Sequence, residues 1–233
     1  MAVILETYSL SKSYFKKSAL AGIDLKLESG RILGLMGPNG SGKTTFLKIL
    51  AGLLKQSAGA YTVAGETDSN RIKGLVSFLP DRNTLYPWMT VADAIAFYAD
   101  FFEDFDRAKA NDMLSFMKLE PTHRVKAMSK GMIEKLNLTL AFSRHAKLFL
   151  LDEPLGGVDP VARERIVSTI IKTWTEDSAI IISTHLVNDV EQIFNDVAFI
   201  DEGKLILSGD AEALRTERGK SIDKLYLDIF EDR

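Results

Sequence analysis

The chain has 233 residues, of which 46% are hydrophobic and 26% are charged, and its formal net charge is −3. This length predicts one large domain, or one domain with a sizeable insertion, and the slightly acidic balance argues against a general nucleic-acid-binding surface. The absence of cysteine excludes disulfide bonds and cysteine-ligated metals. We expect no secretory signal at the start, and no run reaches the ~20 apolar residues of a membrane-spanning helix.

The first thirty residues favour a β-hairpin. Residues 3–10 have the composition of a strand, residues 13–17 are polar and aromatic, and residues 19–27 alternate apolar and polar side chains. This period of two predicts a hairpin at the edge of the main sheet. Tyr14 has two interpretations: a ring that stacks on a purine base, or a half-exposed aromatic at the end of a strand.

A glycine-rich loop lies between a short apolar strand and an amphipathic helix. Residues 37–45 match G-x-x-x-x-G-K-[ST], the loop that cradles phosphate groups. Its glycines allow backbone N–H groups to point at phosphate oxygens. Lys43 would reach the β- and γ-phosphates, and the Thr44 hydroxyl would bind Mg²⁺. A plain glycine-rich turn is the alternative, but the flanking strand and helix favour a phosphate site. Its candidate residues are Gly37, Pro38, Asn39, Gly40, Ser41, Gly42, Lys43, Thr44 and Thr45.

The middle of the chain predicts a mostly helical insertion at about residues 85–145. Short strands at 60–64 and 74–79 precede it, and residues 66–73 are polar without a clear pattern. Thr90 and Asp93 then form a capping-box pattern at the start of a helix. Aromatic residues recur at helical spacing along that helix as far as residue 105. They are interpreted either as a core stripe or as a docking groove for a partner helix.

Two more helices are expected in this insertion. Residues 106–119 have an amphipathic pattern, and residues 133–144 form a third helix that follows residues 128–132. Ser129 is predicted to be its N-cap, because a serine hydroxyl accepts a hydrogen bond from the free backbone N–H groups of a first turn.

Two adjacent carboxylates follow a strongly apolar strand at residues 147–151. Asp152 and Glu153 would lie at the carboxyl end of this strand, which faces the ligand crevice in a parallel sheet. Because neighbouring side chains of a strand point in opposite directions, Asp152 can hold Mg²⁺, through water, while Glu153 faces the attacking water. A solvated turn is the alternative, which Lys43 in the same chain disfavours.

The last third continues the alternation of helices and strands. A tight turn leads into a helix at 161–175, and an apolar strand at 179–183 ends before His185. His185 would share the sheet edge with Glu153 and could contact a γ-phosphate. Strands at 197–201 and 204–207 and a helical tail from residue 211 complete an α/β fold, with a mainly parallel sheet covered on both faces.

Taken in order, these motifs resemble the ATP-binding subunit of an ABC (ATP-binding cassette) transporter over nearly the whole chain. The position of Tyr14 is similar to that of the family's adenine-stacking aromatic residue. The resemblance implies a P-loop NTPase (RecA-like) core at 1–84 and 146–233, with an N-terminal antiparallel β segment and a helical signature subdomain at 85–145. The motifs themselves are residues 37–45 as Walker A, 148–153 as Walker B with the catalytic glutamate, 128–132 in place of the signature LSGGQ, 157–159 as the D-loop, and His185 as the switch histidine.

The resemblance also implies partners and location. Two such subunits, identical or different, would pair head-to-tail around ATP and Mg²⁺. Ser129 and Gly131 would contact the γ-phosphate held by the other subunit, and Asp159 would link the two sites. Hydrolysis would drive a membrane-spanning permease, which would place the chain in the cytoplasm, on the inner face of the cell membrane, without nucleic acid.

Two departures from the family pattern stand out. Asp81 replaces the usual glutamine, and it would either repel the γ-phosphate or act as an additional water-mediated ligand of Mg²⁺. In the signature, Lys130 replaces a glycine and Met132 replaces glutamine. The lysine would either assist γ-phosphate binding by its charge or point to solvent. This form of the signature resembles the bacterial subfamily that serves drug, antibiotic or lipid exporters. The alternatives are a non-transport ABC ATPase that acts on nucleic acid or ribosomes, and a small-molecule P-loop kinase.

Overall fold

The computed structural model describes residues 2–15 and 17–231. Within them, the strands form one six-stranded and one three-stranded sheet. The strands are β1 (Val3–Tyr14), β2 (Lys17–Glu28), β3 (Ile32–Met36), β4 (Ala58–Val63), β5 (Val76–Leu79), β6 (Leu148–Asp152), β7 (Ala179–Thr184), β8 (Asp196–Asp201) and β9 (Lys204–Asp210). The α-helices are α1 (Lys43–Leu50), α2 (Ser69–Leu75), α3 (Val91–Phe101), α4 (Arg107–Met117), α5 (Lys130–Phe142), α6 (Pro160–Thr173), α7 (Ala211–Arg218) and α8 (Ile222–Phe230).

The six-stranded sheet is mainly parallel, which confirms the predicted α/β class. Its strand order is β5-β6-β7-β3-β8-β9, and only β9 runs antiparallel to its neighbour. All residues of β3, β6 and β7 are buried, as expected for strands covered on both faces. Alternate residues enter different cores: Leu148 and Leu150 pack on one side of the sheet, and Phe149 and Leu151 on the other.

The N-terminal hairpin was predicted at the edge of this sheet, and that placement is wrong. β1 and β2 pair as expected, but β4 adds to the free edge of β1, with Tyr8 opposite Ala60, and completes a separate sheet of order β2-β1-β4. The apolar alternation shows which face of a hairpin is buried. It does not show which distant strand takes the free edge, so the pairing with β4 was not predictable from the pattern.

The helical insertion between β5 and β6 begins with α3, whose predicted capping box is confirmed. The Thr90 hydroxyl accepts from the Asp93 N–H, and the Asp93 carboxylate accepts from the Thr90 N–H. The helix ends at Phe101 rather than at residue 105, because the backbone is extended at Phe102.

The helix expected at residues 133–144 is α5, which begins earlier, at Lys130. Ser129 is its N-cap, as predicted, and accepts from the Met132 N–H. Helix α2 was not expected. It is capped by Asp68, and it takes residues 74 and 75 from the strand predicted there.

Helices α7 and α8 confirm the expected helical tail. Ile222 and Leu225 of α8 are buried in the same core as α3, α4 and α5. No α-helix of the described residues combines the length and the apolar composition that crossing a bilayer requires.

Candidate functional site

The glycine-rich loop joins β3 to α1, as the motif requires, and it has no room for a side chain at Gly37 or Gly42. A Cβ on Gly37 would lie 2.1 Å from the Ile200 carbonyl oxygen. Gly42, the N-cap of α1, has φ +114°, a left-handed conformation that favours glycine. The backbone therefore packs closely against β8, and Gly40, Gly42 and the start of α1 line the cleft beside it, where a helix N-terminus favours anions.

Lys43 is buried within this loop. Its Nζ donates to the carbonyl oxygens of Gly37, at 2.7 Å, and Pro38, at 3.1 Å, and lies 3.9 Å from Glu153 Oε1. Burial lowers the pKa of Lys43, and the carboxylates of Glu153 and Asp152 oppose that shift. The ammonium is thus held beside the carboxylate pair by two neutral carbonyl acceptors. Charged phosphate oxygens are stronger acceptors and could replace these carbonyls.

The two carboxylates diverge at the end of β6. Asp152 is 1% exposed, and its Oδ1 accepts from the Ser183 hydroxyl at 2.5 Å, whereas its Oδ2 has no hydrogen-bond partner among the described residues. Glu153 has φ +52°, so the chain turns sharply there. Its side chain reaches Lys43 with one oxygen, and its other oxygen, Oε2, lies 2.8 Å from His185 Nδ1.

Ser183 is a site residue that the sequence analysis missed. Its hydroxyl donates to Asp152 and accepts from the Glu153 N–H at 3.1 Å, and its carbonyl oxygen accepts from the same N–H at 3.1 Å. The parallel pairing of β6 with β7 places Ser183 beside Asp152. The adjacency of those two strands in the sheet was the missing information.

A cleft of about 830 Å³ opens beside the loop, within the size range of ligand sites. Tyr14 is 45% exposed at its rim, and Asp81 is exposed in its wall. Glu202 and Gly203 also line it, although no sequence pattern pointed to a role for them. The predicted residues in its lining are Tyr14, Asn39, Gly40, Gly42, Lys43, Thr44, Thr45, Asp81 and Glu153.

The lining omits the predicted residues Gly37, Pro38, Ser41, Asp152 and His185, which belong to the phosphate loop or to the carboxyl ends of β6 and β7. It also omits Ser129, Gly131 and Asp159, which lie together elsewhere. Ser129 caps α5, Asp159 caps α6 by accepting from the Ala162 N–H, and a Cβ on Gly131 would lie 3.7 Å from Asp159 Oδ2. The phosphate loop and the signature segment of one chain therefore do not line the same cleft.

The cleft suits a metal that is bound together with a nucleotide. The described residues contain no group of three or more His, Cys, Asp or Glu side chains that could hold a metal alone. The buried Oδ2 of Asp152 has no hydrogen-bond partner among the described residues, the charge of Asp152 acts on Lys43, and the Thr44 hydroxyl belongs to the cleft lining. One carboxylate and one hydroxyl fit Mg²⁺, which usually completes its shell with phosphate oxygens and water.

Comparisons with known proteins agree with this geometry. The family model described as ABC transporter matches residues 20–156. The uncharacterized ABC transporter ATP-binding protein YxlF of Bacillus subtilis is 30% identical, over 94% of this chain and 75% of that protein. The linearmycin resistance ATP-binding protein LnrL of Bacillus subtilis is 27% identical, over 93% of this chain and 72% of that protein.

Solved structures share the fold. The structure of an ATP-binding subunit of an ABC transporter has a TM-score of 0.87 at 24% identity, and the alignment covers 97% of this chain and 98% of that one. The dimeric structure of MJ0796, a bacterial ABC transporter cassette, has a TM-score of 0.78 at 20% identity, and the alignment covers 89% of this chain and 98% of that one. The fold is that of a P-loop NTPase. The chain belongs to the ABC transporter family, and it is an ATP-binding subunit of that family with ATPase activity.

Proposed function

We propose that this chain is the subunit that powers a membrane transporter, and that it hydrolyses ATP with Glu153 as general base. The observation that carries this proposal is the position of the Glu153 carboxylate. One oxygen lies 3.9 Å from Lys43 Nζ, and the other lies 2.8 Å from His185 Nδ1, at the end of the strand beside the phosphate loop. A carboxylate in this position can accept a proton from a water that attacks a bound phosphoryl group.

The other residues bind and stabilise charge. The loop N–H groups and Lys43 would hold the β- and γ-phosphates, His185 would contact the γ-phosphate, and Tyr14 would stack on the adenine ring. Thr44 and Asp152 would hold Mg²⁺, with Asp81 acting through water. When bound, the metal supplies positive charge at the phosphate oxygens.

We infer that two cassettes pair head-to-tail. Ser129, Gly131 and Asp159 lie outside the cleft of their own chain, which supports a role at the γ-phosphate of a second chain. The N–H groups at the start of α5 would point at that phosphate. The Asp159 carboxylate, beside Gly131, would connect the segment to its own site.

The permease would dock on an aromatic groove of the insertion. This groove has a volume of about 220 Å³ and is lined by Thr84, Leu85, Tyr86, Met89, Phe97, Tyr98, Phe101 and Phe102. Two stacked pairs remain exposed, Tyr86 with Trp88 and Phe97 with Phe101. Exposed aromatic clusters of this kind suit an apolar helix of a partner. The chain would then lie on the cytoplasmic face of the membrane, and the name of LnrL favours an exporter.

Three measurements test the proposal. The purified chain should hydrolyse ATP with water as the only acceptor, and Glu153→Gln should form an ATP-dependent dimer on size-exclusion chromatography. The native complex should contain a multi-spanning membrane protein. Stoichiometric RNA or DNA in that complex, or hydrolysis that needs a small-molecule acceptor, would contradict it.

A further inference from the structure

Lys130, which replaces the usual glycine of the signature, lies over a second glycine of the same chain. A Cβ on Gly157 would be 2.3 Å from Lys130 Nζ, 3.3 Å from its Cε and 3.5 Å from its Cδ. Lys130 therefore occupies space that only glycine at position 157 leaves free. Gly157 also has φ +69°, in the left-handed region.

This contact is one of packing. Among the described residues, the Lys130 ammonium donates no hydrogen bond and forms no ion pair within 4.0 Å. Its charge acts on Glu134, one turn further along α5, where burial raises the pKa of the carboxyl and the lysine partly opposes that shift. The alkyl stem and its end group therefore lie across the turn without a polar anchor.

The turn beneath Lys130 leads directly to the proposed general base. Gly156, which precedes Gly157, donates its N–H to the Glu153 carbonyl oxygen at 3.0 Å. One residue further along the signature segment, Gly131 approaches the first turn of α6, five residues beyond Gly157, because a Cβ there would lie 3.4 Å from Ala162 Cβ. Two successive residues of the signature segment thus contact the stretch that follows Glu153, one at the turn and one at the start of α6.

We propose that Lys130 is a positioning residue for hydrolysis, which couples Glu153 to the signature segment of the same chain. By packing over Gly157, it fixes Ser129 and Gly131 relative to the turn that follows Glu153. A shift of Glu153 in one cleft is then transmitted to the segment presented to a second chain. This inference rests on the proposed head-to-tail pair and assigns a coupling contact within it.

The test uses the full chain with the variants K130A, K130M and G157A and the double variant K130A/G157A. K130A removes the packing, and G157A displaces the flexible end of Lys130. Each should raise the KM for ATP by about 2- to 30-fold, the size of a typical coupling effect, and lower the Hill coefficient of hydrolysis. K130M keeps the stem and should recover most of the loss. The KM and the Hill coefficient of the double variant should be no more impaired than those of either single variant, because the two substitutions remove the same contact.

Two controls separate coupling from damage to the fold. Gly219→Ala places a Cβ at φ +61° with nothing within 4 Å, so it reproduces the backbone strain of G157A far from the site. ADP affinity, measured by titration, reports the phosphate loop alone and should stay within about 2-fold in every variant.

Three results would overturn the inference: K130A with wild-type KM and Hill coefficient, K130M as impaired as K130A, or additive losses in the double variant. Wild-type chain that fails to hydrolyse ATP would instead contradict the proposed function, so the two failures are distinguishable.

Discussion

His185 Nδ1 lies 2.8 Å from Glu153 Oε2, although 32 residues separate them in the chain. They meet because β6 and β7 are parallel neighbours, with Asp152 opposite Ser183, so that both strands end at one edge of the sheet. The histidine restrains the carboxylate from one side, and Lys43 lies on the other. The orientation of Glu153 is thus set by two groups that also suit a γ-phosphate.

We expect Glu153→Gln to lower the hydrolysis rate by roughly 10²- to 10⁴-fold, the usual contribution of a positioned base. Glutamine keeps the shape of the side chain but cannot accept the proton from water. ATP binding should survive, because the loop and Lys43 are untouched. Single-turnover hydrolysis and nucleotide titration measure the two effects. Glu212→Gln, an exposed change on α7, is the control, and wild-type turnover in the Glu153 variant would refute the assignment.

We expect Ser183→Ala to impair both stability and hydrolysis. The change removes the 2.5 Å hydrogen bond to Asp152 and one of the two acceptors of the Glu153 N–H. Leaving buried groups unpaired costs about 1–3 kcal/mol, and losing a group that orients a metal ligand costs about 10- to 100-fold in activity.

Ser77→Ala is the matched control for this prediction. Ser77 is also buried, and its hydroxyl donates to the Ala141 carbonyl oxygen at 2.8 Å, away from the cleft. Its loss should lower the free energy of unfolding by a similar amount and leave turnover close to wild type at temperatures where the chain is folded. Equal turnover in the two variants would show that Ser183 has no role in orienting Asp152.

The local features of the site were predictable because their signals are short-range. The phosphate loop needs only its glycines, Lys43 and the flanking strand and helix, and the cap at Ser129 needs only its own first turn. Ser183 was not predictable, because its role depends on the neighbouring strand in the sheet. The same reason explains the error for the N-terminal hairpin, whose free edge is taken by β4.

The contact between Lys130 and Gly157 was predictable only in part. In the sequence, the lysine departs from the family pattern, and its two expected placements were a contact with the γ-phosphate or a position in solvent. Only the packing of α5 against the turn before α6 shows that the lysine covers a glycine. A contact between side chain and backbone across 27 positions leaves no periodic signal in one sequence.

Glu134 should make the stability of the chain depend on pH. Burial raises its pKa from 4.5 to about 7, and Lys130 opposes the shift. Between these values the folded chain keeps a proton that the unfolded chain releases, so the free energy of unfolding falls as pH rises from 4.5 to 7. At 1.36 kcal/mol per unit, the full effect is about 3 kcal/mol.

Glu134→Gln isolates this contribution, because its neutral amide resembles the protonated acid. The variant should match wild type within about 0.5 kcal/mol at pH 4.5, a margin typical of changes that disturb no packing or pairing. At pH 8 it should be more stable by up to about 3 kcal/mol, from the same shift. Urea denaturation at both pH values measures the difference in free energy of unfolding between the variant and wild type. The contributions of the other titrating groups cancel in this difference. A difference that does not change with pH would contradict the raised pKa.

The double variant Phe97→Ser/Phe101→Ser should separate docking from catalysis. The two rings are 47% and 70% exposed and stack on each other at the rim of the aromatic groove, so the core of the insertion is unaffected by their loss. Each surface change should alter stability by no more than about 0.5 kcal/mol, and ATP hydrolysis by the isolated chain should stay close to wild type. Co-purification with the membrane-spanning partner should fall strongly. Tyr8→Ser, a 51% exposed aromatic on the N-terminal sheet, is the matched control and should leave co-purification intact. If the double variant retains its partner and the Tyr8 variant loses it, the permease docks on the antiparallel sheet rather than on the groove.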